Sequence, residues 1–174
     1  MTGTGVVSGA VVVLPVGAPT SVGSLPHEDR DAAIRFVLER TPELPAAPTV
    51  PRLEPPEMMV PQALWGVAGV ELGADGTVSV PDPALLDPAA PLGDPELADP
   101  PFTSWRRFLE AVAGRETPVK LQATGPATTG LTLVHAGVDP ALAFAVASAA
   151  VAARTRHLLD LADRISPGVP RVLV

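Results

Sequence analysis

The chain has 174 residues, of which 47% are hydrophobic and 18% are charged, with 12 Lys and Arg against 19 Asp and Glu. These values predict one globular domain with a sizeable core and exclude extended disorder. The formal net charge of -7, without a basic stripe, argues against a nucleic-acid-binding protein. Cysteine is absent, which excludes disulfides, a catalytic thiol and thiolate metal ligands within this chain.

Two apolar segments bear on membranes and secretion. Residues 5–17 have the apolar character of a signal peptide, but no basic residue precedes Arg30, so the positively charged leader is missing. The Ala-rich segment from Pro140 to Ala153 is too short to span a bilayer. We therefore expect a cytoplasmic protein that does not bind membranes.

Predicted strands and helices alternate along the chain. Apolar residues at helical spacing, such as Ala33, Ile34 and Val37, mark the helices, and Pro or Gly separates the elements. The predicted order is strand 19–24, helix 28–40, strand 49–53, helix 102–114, strand 119–123, helix 140–165 and strand 170–174.

The long connection after the second predicted strand has features of its own. It holds a short helix within 58–70 and a hairpin whose strands flank Gly73–Gly76. Residues 81–101 contain seven prolines, four aspartates and a glutamate, which predicts a stiff surface excursion outside the core. We treat residues 1–174 as a single domain, with 71–101 as the hairpin and Pro/Asp-rich excursion of the second βα loop.

Alternation of this kind predicts an α/β fold with parallel strands and right-handed crossovers. An open doubly wound sheet and a (β/α)8 TIM barrel are both compatible with it. The long connections, 54–101 and 124–139, follow strands, which is typical of barrels because their sites are built from βα loops. A complete barrel needs about 250 residues and eight strands. Four strands are predicted, so the expectation is a partial barrel of about the first four βα units.

Three segments carry a resemblance to a known family. They are Ser21–His27 (SVGSLPH), Met58–Gln62 (MMVPQ) and Pro118–Thr128 (PVKLQATGPAT). In order and spacing they resemble motifs after the first three strands of the catalytic barrel of cobalamin-independent methionine synthases. The similarity covers residues 17–174. It is greatest to the smaller, single-barrel actinobacterial relatives, which share a superfamily with uroporphyrinogen decarboxylases.

The resemblance implies a methyltransferase of methionine biosynthesis, of the 5-methyltetrahydropteroyltriglutamate–homocysteine S-methyltransferase type. Such an enzyme moves a methyl group from methyltetrahydrofolate to the thiol of homocysteine. The family's zinc, held by a His, two Cys and a Glu in the second half of the barrel, activates that thiol. Those ligands have no counterpart here, so we expect no zinc in this chain and a truncated, methyltransferase-like fragment that is inactive alone. The implied small-molecule partners are homocysteine or methionine, and a folate.

The first motif offers Gly23, Ser24 and His27 as substrate-binding residues. Gly23 and Ser24 can present backbone N–H groups and a hydroxyl to an amino-acid carboxylate at a strand end. The alternative is a tight strand exit in which glycine relieves crowding. His27 is either a hydrogen-bond donor to substrate or a residue that begins the helix.

Acidic and polar residues after the next two strands complete the candidate site. The resemblance places an acidic residue for the substrate amine near Glu54 and Glu57, whose alternative is a solvated loop carboxylate. Gln122 and Thr124 alternate with Ala123, so both can point to the same face. Of these, Thr124 is the better site candidate because it lies at the predicted barrel mouth.

Other residues are assigned no function from the sequence. His135 is predicted to be a surface or packing residue, and His157 belongs to a polar helix face with Arg154 and Arg156. Lys120, the only lysine, is expected in an interior ion pair. Trp105 and Phe108 are expected in the core.

Three function hypotheses stay open at this point. The first is the methionine-synthase-like methyltransferase fragment, and the second is a non-catalytic domain of the same fold that binds a small molecule or a partner chain. The third is a uroporphyrinogen-decarboxylase-like protein. A partial barrel also leaves strand edges near 19–24 and 170–174, which predicts either a homodimer formed through these edges or a monomer of low stability.

Overall fold

A computed structural model describes residues 17–174. The apolar run at residues 5–17, except Gly17, lies outside the described residues. The helices are α1 (Arg30–Arg40), α2 (Met59–Leu64), α3 (Thr103–Ala111), α4 (Pro126–His135) and α5 (Pro140–Ile165). The strands are β1 (Glu71–Leu72), β2 (Val78–Ser79), β3 (Val119–Leu121) and β4 (Arg171–Leu173). None of the helices within 17–174 is both long and apolar enough to cross a bilayer.

Four segments pair in parallel and in chain order. Ser24 pairs with Thr49, Ala46 pairs with Lys120, and β3 pairs with β4. Backbone hydrogen bonds from Leu25 N to the Thr49 carbonyl and from Ala47 N to the Lys120 carbonyl, each 2.9 Å, carry the first two pairings. We call these segments, 23–25, 45–49, 119–123 and 170–174, the parallel row.

The first two members of the row differ from the predicted strands. Of the predicted strand 19–24, only Ser24 forms a bridge. The prediction of a strand at 49–53 is wrong, because pairing lies at Ala46 and Thr49 and the following residues turn. Leu53 N and Glu54 N both donate to the Val50 carbonyl at 2.9 Å, which closes the turn after Pro51.

The helices that cover the row bury the predicted apolar residues. In α1, Asp29 caps the helix by accepting from Ala32 N at 2.9 Å, and Ala33, Ile34 and Val37 are buried. The core role of Trp105 and Phe108 in α3 is confirmed, since both are buried in the main hydrophobic cluster. This cluster joins α1, α3, β3 and the C-terminal half of α5.

The connection between α2 and α3 is only partly a surface excursion. The hairpin is present, with Glu71 opposite Ser79 and Leu72 opposite Val78. The prediction that 81–101 stays outside the core is wrong, because Leu86 and Leu97 are buried and Leu97 belongs to the main cluster. Two apolar side chains in a polar, Pro-rich stretch are enough to anchor it.

Residues 124–139, expected to be a loop, contain the helix α4. Its start has the Gly125-Pro126 sequence, with proline at the first helical position. α4 packs against α5 so closely that a Cβ on Gly130 would overlap the Phe144 ring. The predicted helix from Pro140 to Ile165 is confirmed, and Asp139 caps it by accepting from Ala141 N at 3.0 Å.

Lys120 does not form the expected ion pair. Its Nζ donates to the Ser21 carbonyl at 2.7 Å, and none of the ion pairs within residues 17–174 includes it. A main-chain carbonyl therefore accepts a hydrogen bond from this ammonium group, and the bond links the segment before Ser24 to β3.

Candidate functional site

A groove of about 510 Å³ opens at the carboxyl end of the parallel row. We call it the mouth groove. Its floor and sides come from the start of α2, the hairpin and the end of α4, with Ser24 at the exit of the first strand segment. The lining residues are Ser24, Met58, Met59, Val60, Pro61, Gly76, Val78, Thr132, His135 and Ala136.

A much smaller space, of about 10 Å³, lies beside the mouth groove between α2, the end of β3 and α5. We call it the inner cleft. Met59 lines both spaces and so forms their shared wall. The other residues that line the inner cleft are Gln62, Ala63, Gln122, Ala123, Thr124, Val151, Arg154 and Leu158.

The first motif places one polar side chain in the mouth groove. Ser24 is exposed, and its Oγ lies 3.5 Å from Thr49 Oγ1, a long contact that leaves the serine hydroxyl free for other partners. Gly23 is buried at a φ of +101°, and a Cβ there would overlap the side-chain amide of Gln122. Glycine is therefore required at position 23 because of this positive φ and because a Cβ would lie 2.8 Å from the Ala47 carbonyl oxygen, whereas the flexible Gln122 side chain could move.

Gln122 and Thr124 meet in the inner cleft, as their alternation predicts. Thr124 is 7% exposed, and its Oγ1 is buried without a hydrogen-bond partner among residues 17–174. A buried hydroxyl without a partner is uncommon in proteins, because its desolvation is not compensated.

His27 lies apart from both spaces. Its ring packs on Phe36 with 5.3 Å between centroids, and it does not line the mouth groove or the inner cleft. This position fits the alternative in which His27 begins the helix region rather than binding substrate. The structure instead brings His135, predicted to be a surface or packing residue, to the mouth groove at the end of α4.

Glu57 is not a solvated loop carboxylate, contrary to that interpretation of the sequence. It is 0% exposed, and both of its oxygens accept hydrogen bonds. Oε1 accepts from Ser104 N at 3.1 Å and from Arg30 Nη2 at 3.2 Å. Oε2 accepts from Val50 N at 2.9 Å and from Ser104 Oγ at 2.7 Å. A carboxylate enclosed by four donors has no surface left for a substrate amine.

Glu54 fits the interpretation as a loop carboxylate better than the interpretation as a substrate-binding residue. It is half-buried at the end of the turn that begins at Val50, and its side chain accepts no hydrogen bond from residues 17–174. It does not line the mouth groove or the inner cleft. The two glutamates that the resemblance singles out therefore differ in burial, and neither lines the mouth groove or the inner cleft.

The site holds residues that the sequence did not point to. Thr132 and His135 went unassigned because α4 was expected to be a loop, although Gly125-Pro126 followed by apolar residues is a helix-start signal. Arg154 was placed on a polar helix face, but it is 2% exposed and lines the inner cleft. Nothing local distinguishes a buried arginine from an exposed one.

The zinc set that the resemblance implies does not fit the described residues. Within residues 17–174, no group of three or more His, Cys, Asp or Glu side chains comes together in a way that could hold a metal ion. His27 packs on Phe36, and His135 lies in the mouth groove on a different element.

Comparisons of the chain with protein-family models, with curated proteins and with solved structures returned no match. The resemblance to methionine synthases therefore stays a prediction from the three sequence motifs.

Proposed function

We propose that this chain forms the substrate-binding groove of a cytoplasmic, methionine-synthase-like methyltransferase, built on a partial TIM barrel. One observation carries the proposal: all three motifs converge at the carboxyl end of the parallel row. Ser24 and the Met58–Pro61 segment line the mouth groove, and Gln122 and Thr124 line the adjoining inner cleft. In parallel α/β folds, ligands bind at this end of the strands.

The order of the row supports the partial-barrel part of the proposal. Its four members pair only in parallel and in chain order, which is the arrangement of consecutive βα units. An open doubly wound sheet of the usual kind reverses its strand order at a switch point. Within residues 17–174 the row has no such reversal.

The chemistry of the mouth groove suits methionine or homocysteine. Met58, Met59 and Val78 give apolar, polarizable walls for a thioether or thiol chain. Ser24, Thr132 and His135 supply hydroxyl and imidazole groups for the polar groups of the ligand that lie in this groove. Its volume of about 510 Å³ falls within the usual range for small-molecule sites. The role assigned to these residues is to bind and orient the ligand.

Calorimetric titration with L-methionine and L-homocysteine tests the proposal. We expect saturable binding with a Kd of about 1 mM, as for a small ligand in a preformed groove. Methyl-labelled Met58 and Met59 should shift in step with the heat signal, because both side chains line the groove.

A matched pair of variants locates the binding. Thr132→Phe places a large ring in the mouth groove and should abolish methionine binding. Thr128→Phe makes the same change one turn earlier on α4, at an exposed position outside the groove, and should leave binding intact. If the wild-type chain binds neither amino acid, or if both variants bind equally, the proposed function is wrong. Methionine binding without methyl transfer would favour the non-catalytic small-molecule-binding alternative.

A further inference from the structure

The inner cleft contains a buried cation whose hydrogen bonds are incomplete. Arg154 projects from α5, and its Nη1 donates to the Asp94 carbonyl at 3.3 Å and its Nη2 to the Trp65 carbonyl. The guanidinium carbon lies 4.6 Å from the centroid of the Phe102 ring. These contacts hold the guanidinium in place between α5 and the chain around residues 65–102.

None of these contacts neutralises the charge. The hydrogen-bond acceptors are main-chain carbonyls, and no ion pair within residues 17–174 includes Arg154. Burial lowers the pKa of the Arg154 guanidinium to about 10, and the more distant charges of Asp94 and Asp99 act in the opposite direction. The side chain is therefore still a cation at neutral pH. A buried charge without a contacting counter-ion is unfavourable unless something else satisfies it.

Two polar atoms of the cleft have hydrogen-bonding capacity to spare. Arg154 Nε is buried and donates to no acceptor within residues 17–174. Thr124 Oγ1 is also buried and has no hydrogen-bond partner among these residues. Both residues line the inner cleft, and Gln122 is their neighbour there. Gln62 is held in the same wall because its Nε2 donates to the Pro101 carbonyl at 2.6 Å. Two residues that carry buried donors without acceptors therefore line the same cleft.

The size of the cleft limits what can enter. Its volume of about 10 Å³ is close to that of one water-sized probe. A single oxygen atom fits, whereas a whole amino acid does not. A water molecule would accept both hydrogen bonds but would leave the charge uncompensated. A carboxylate oxygen would accept both bonds and also oppose the charge of Arg154.

We propose that the inner cleft is a carboxylate subsite, in which Arg154 Nε and Thr124 Oγ1 hold one oxygen of a carboxylate ligand. The rest of such a ligand would lie in the mouth groove, and this link depends on the proposed function. Met59 separates the two spaces, and its flexible, unbranched side chain can move aside to let the carboxylate pass. The subsite would select carboxylic acids over the corresponding amines.

Formate is the probe for the subsite because it is the smallest carboxylate. The readout is the Nε–Hε NMR signal of Arg154, assigned through the backbone of α5. We expect this signal to move saturably with formate and with L-methionine, but not with 3-(methylthio)propylamine, which is methionine without its carboxylate. If formate leaves the signal unmoved, the proposal is wrong.

Thr124→Val and Thr124→Ser form the test pair at the second donor. The valine variant keeps the volume and removes the hydroxyl, so formate binding should weaken about tenfold, while the serine variant should bind as the wild type does. Thr128→Val, on the exposed face of α4, is the control for the substitution itself. Arg154 is left in place because it also fastens the chain at Trp65 and Asp94. Equal formate binding by the valine and serine variants would overturn the assignment of Thr124.

The same titrations separate this proposal from the proposed function. A formate response without any methionine response supports the carboxylate subsite and contradicts the proposed function. Methionine binding that leaves the Arg154 signal unmoved supports the proposed function and overturns the subsite.

Discussion

The replacement Glu57→Gln tests whether the buried carboxylate holds the fold together. The amide keeps the size of the side chain but removes the charge and one acceptor. With the amide oxygen in the place of Oε1, the bonds from Ser104 N and Arg30 Nη2 are kept. The amide NH2 then faces Val50 N, which loses its acceptor, while the Ser104 hydroxyl can rotate to accept. The opposite placement is worse, because the NH2 would face both a backbone N–H and the Arg30 cation.

The magnitude follows from these bonds. An orphaned buried N–H costs about 1–3 kcal/mol, and hydrogen bonds to an ionised group are worth about 1.5–3 kcal/mol each. Removing one partner of a buried ion pair typically costs about 3–5 kcal/mol. Since the amide retains two of the four bonds, we expect a loss of about 3 kcal/mol in the free energy of unfolding. For a chain of this length that corresponds to a fall in Tm of about 6–12 °C.

Urea unfolding followed by tryptophan fluorescence is the assay. Trp65 and Trp105 are the only tryptophans in the sequence, and Trp105 lies in the core cluster that α3 shares with α1. Glu54→Gln is the matched control, since the same change is made three residues earlier on a side chain that accepts no hydrogen bond from residues 17–174. The control should stay within about 0.5 kcal/mol of the wild type. If Glu57→Gln is no more destabilised than the control, the structural role of Glu57 is refuted.

Two further predictions concern a histidine and the oligomeric state. Burial is the largest cause that lowers the pKa of His157 below its usual 6.5, and the charge of Arg154 lowers it further. Asp160 acts in the opposite direction and raises the pKa. The variant Asp160→Asn should therefore lower the His157 pKa further, as measured by NMR titration. Because His157 binds its proton more readily in the unfolded chain, its protonation lowers the free energy of unfolding as pH falls below 6.5. This loss of stability should be larger in the variant. A His157 pKa that is the same in the variant and the wild type would contradict the role of Asp160. The edges of the parallel row carry Val22 and Val174, which are 70% and 68% exposed, and Ser24 points its own N–H and C=O away from the pairing with Thr49. Light scattering should therefore detect a homodimer at micromolar concentrations, and a mass of 17.8 kDa at every concentration would contradict it.

The elements that the sequence predicted well are those with signals at their own ends. Asp139-Pro140 begins α5 and Pro167-Gly168 follows its end, so the bounds of the longest helix are close to those predicted. The hairpin around Gly73–Gly76 was found because a turn between two short β-compatible runs is a local pattern. In each case neighbouring residues decide the structure, and distant contacts only reinforce it.

The elements that were missed depend on contacts between distant residues. The second member of the row was placed too late in the chain, because Ala46 pairs with Lys120, a residue that is distant in the sequence. The burial of Leu97 results from packing against α3 and α5, which a Pro-rich local sequence does not reveal. The burial of Glu57 was not predicted, because its four donors come from residues up to 47 positions away.

Two buried charges of this chain illustrate how burial and hydrogen bonding separate structure from function. Glu57 receives four donors, two of them from Ser104, and is thereby complete as a structural element. Arg154 is almost as deeply buried, but its Nε has no acceptor within residues 17–174. The hydroxyl of Thr124, which lines the same cleft, also has no hydrogen-bond partner among these residues. From the sequence, Glu57 was a candidate for binding the substrate amine or a solvated loop carboxylate, and Arg154 was placed on a polar helix face. Ser104 and Arg30 complete the first site from within the chain, whereas the second has room for one oxygen atom that the described residues do not supply. A bound carboxylate would supply a hydrogen-bond acceptor and an opposite charge to Arg154, as Ser104 and Arg30 supply donors and an opposite charge to Glu57.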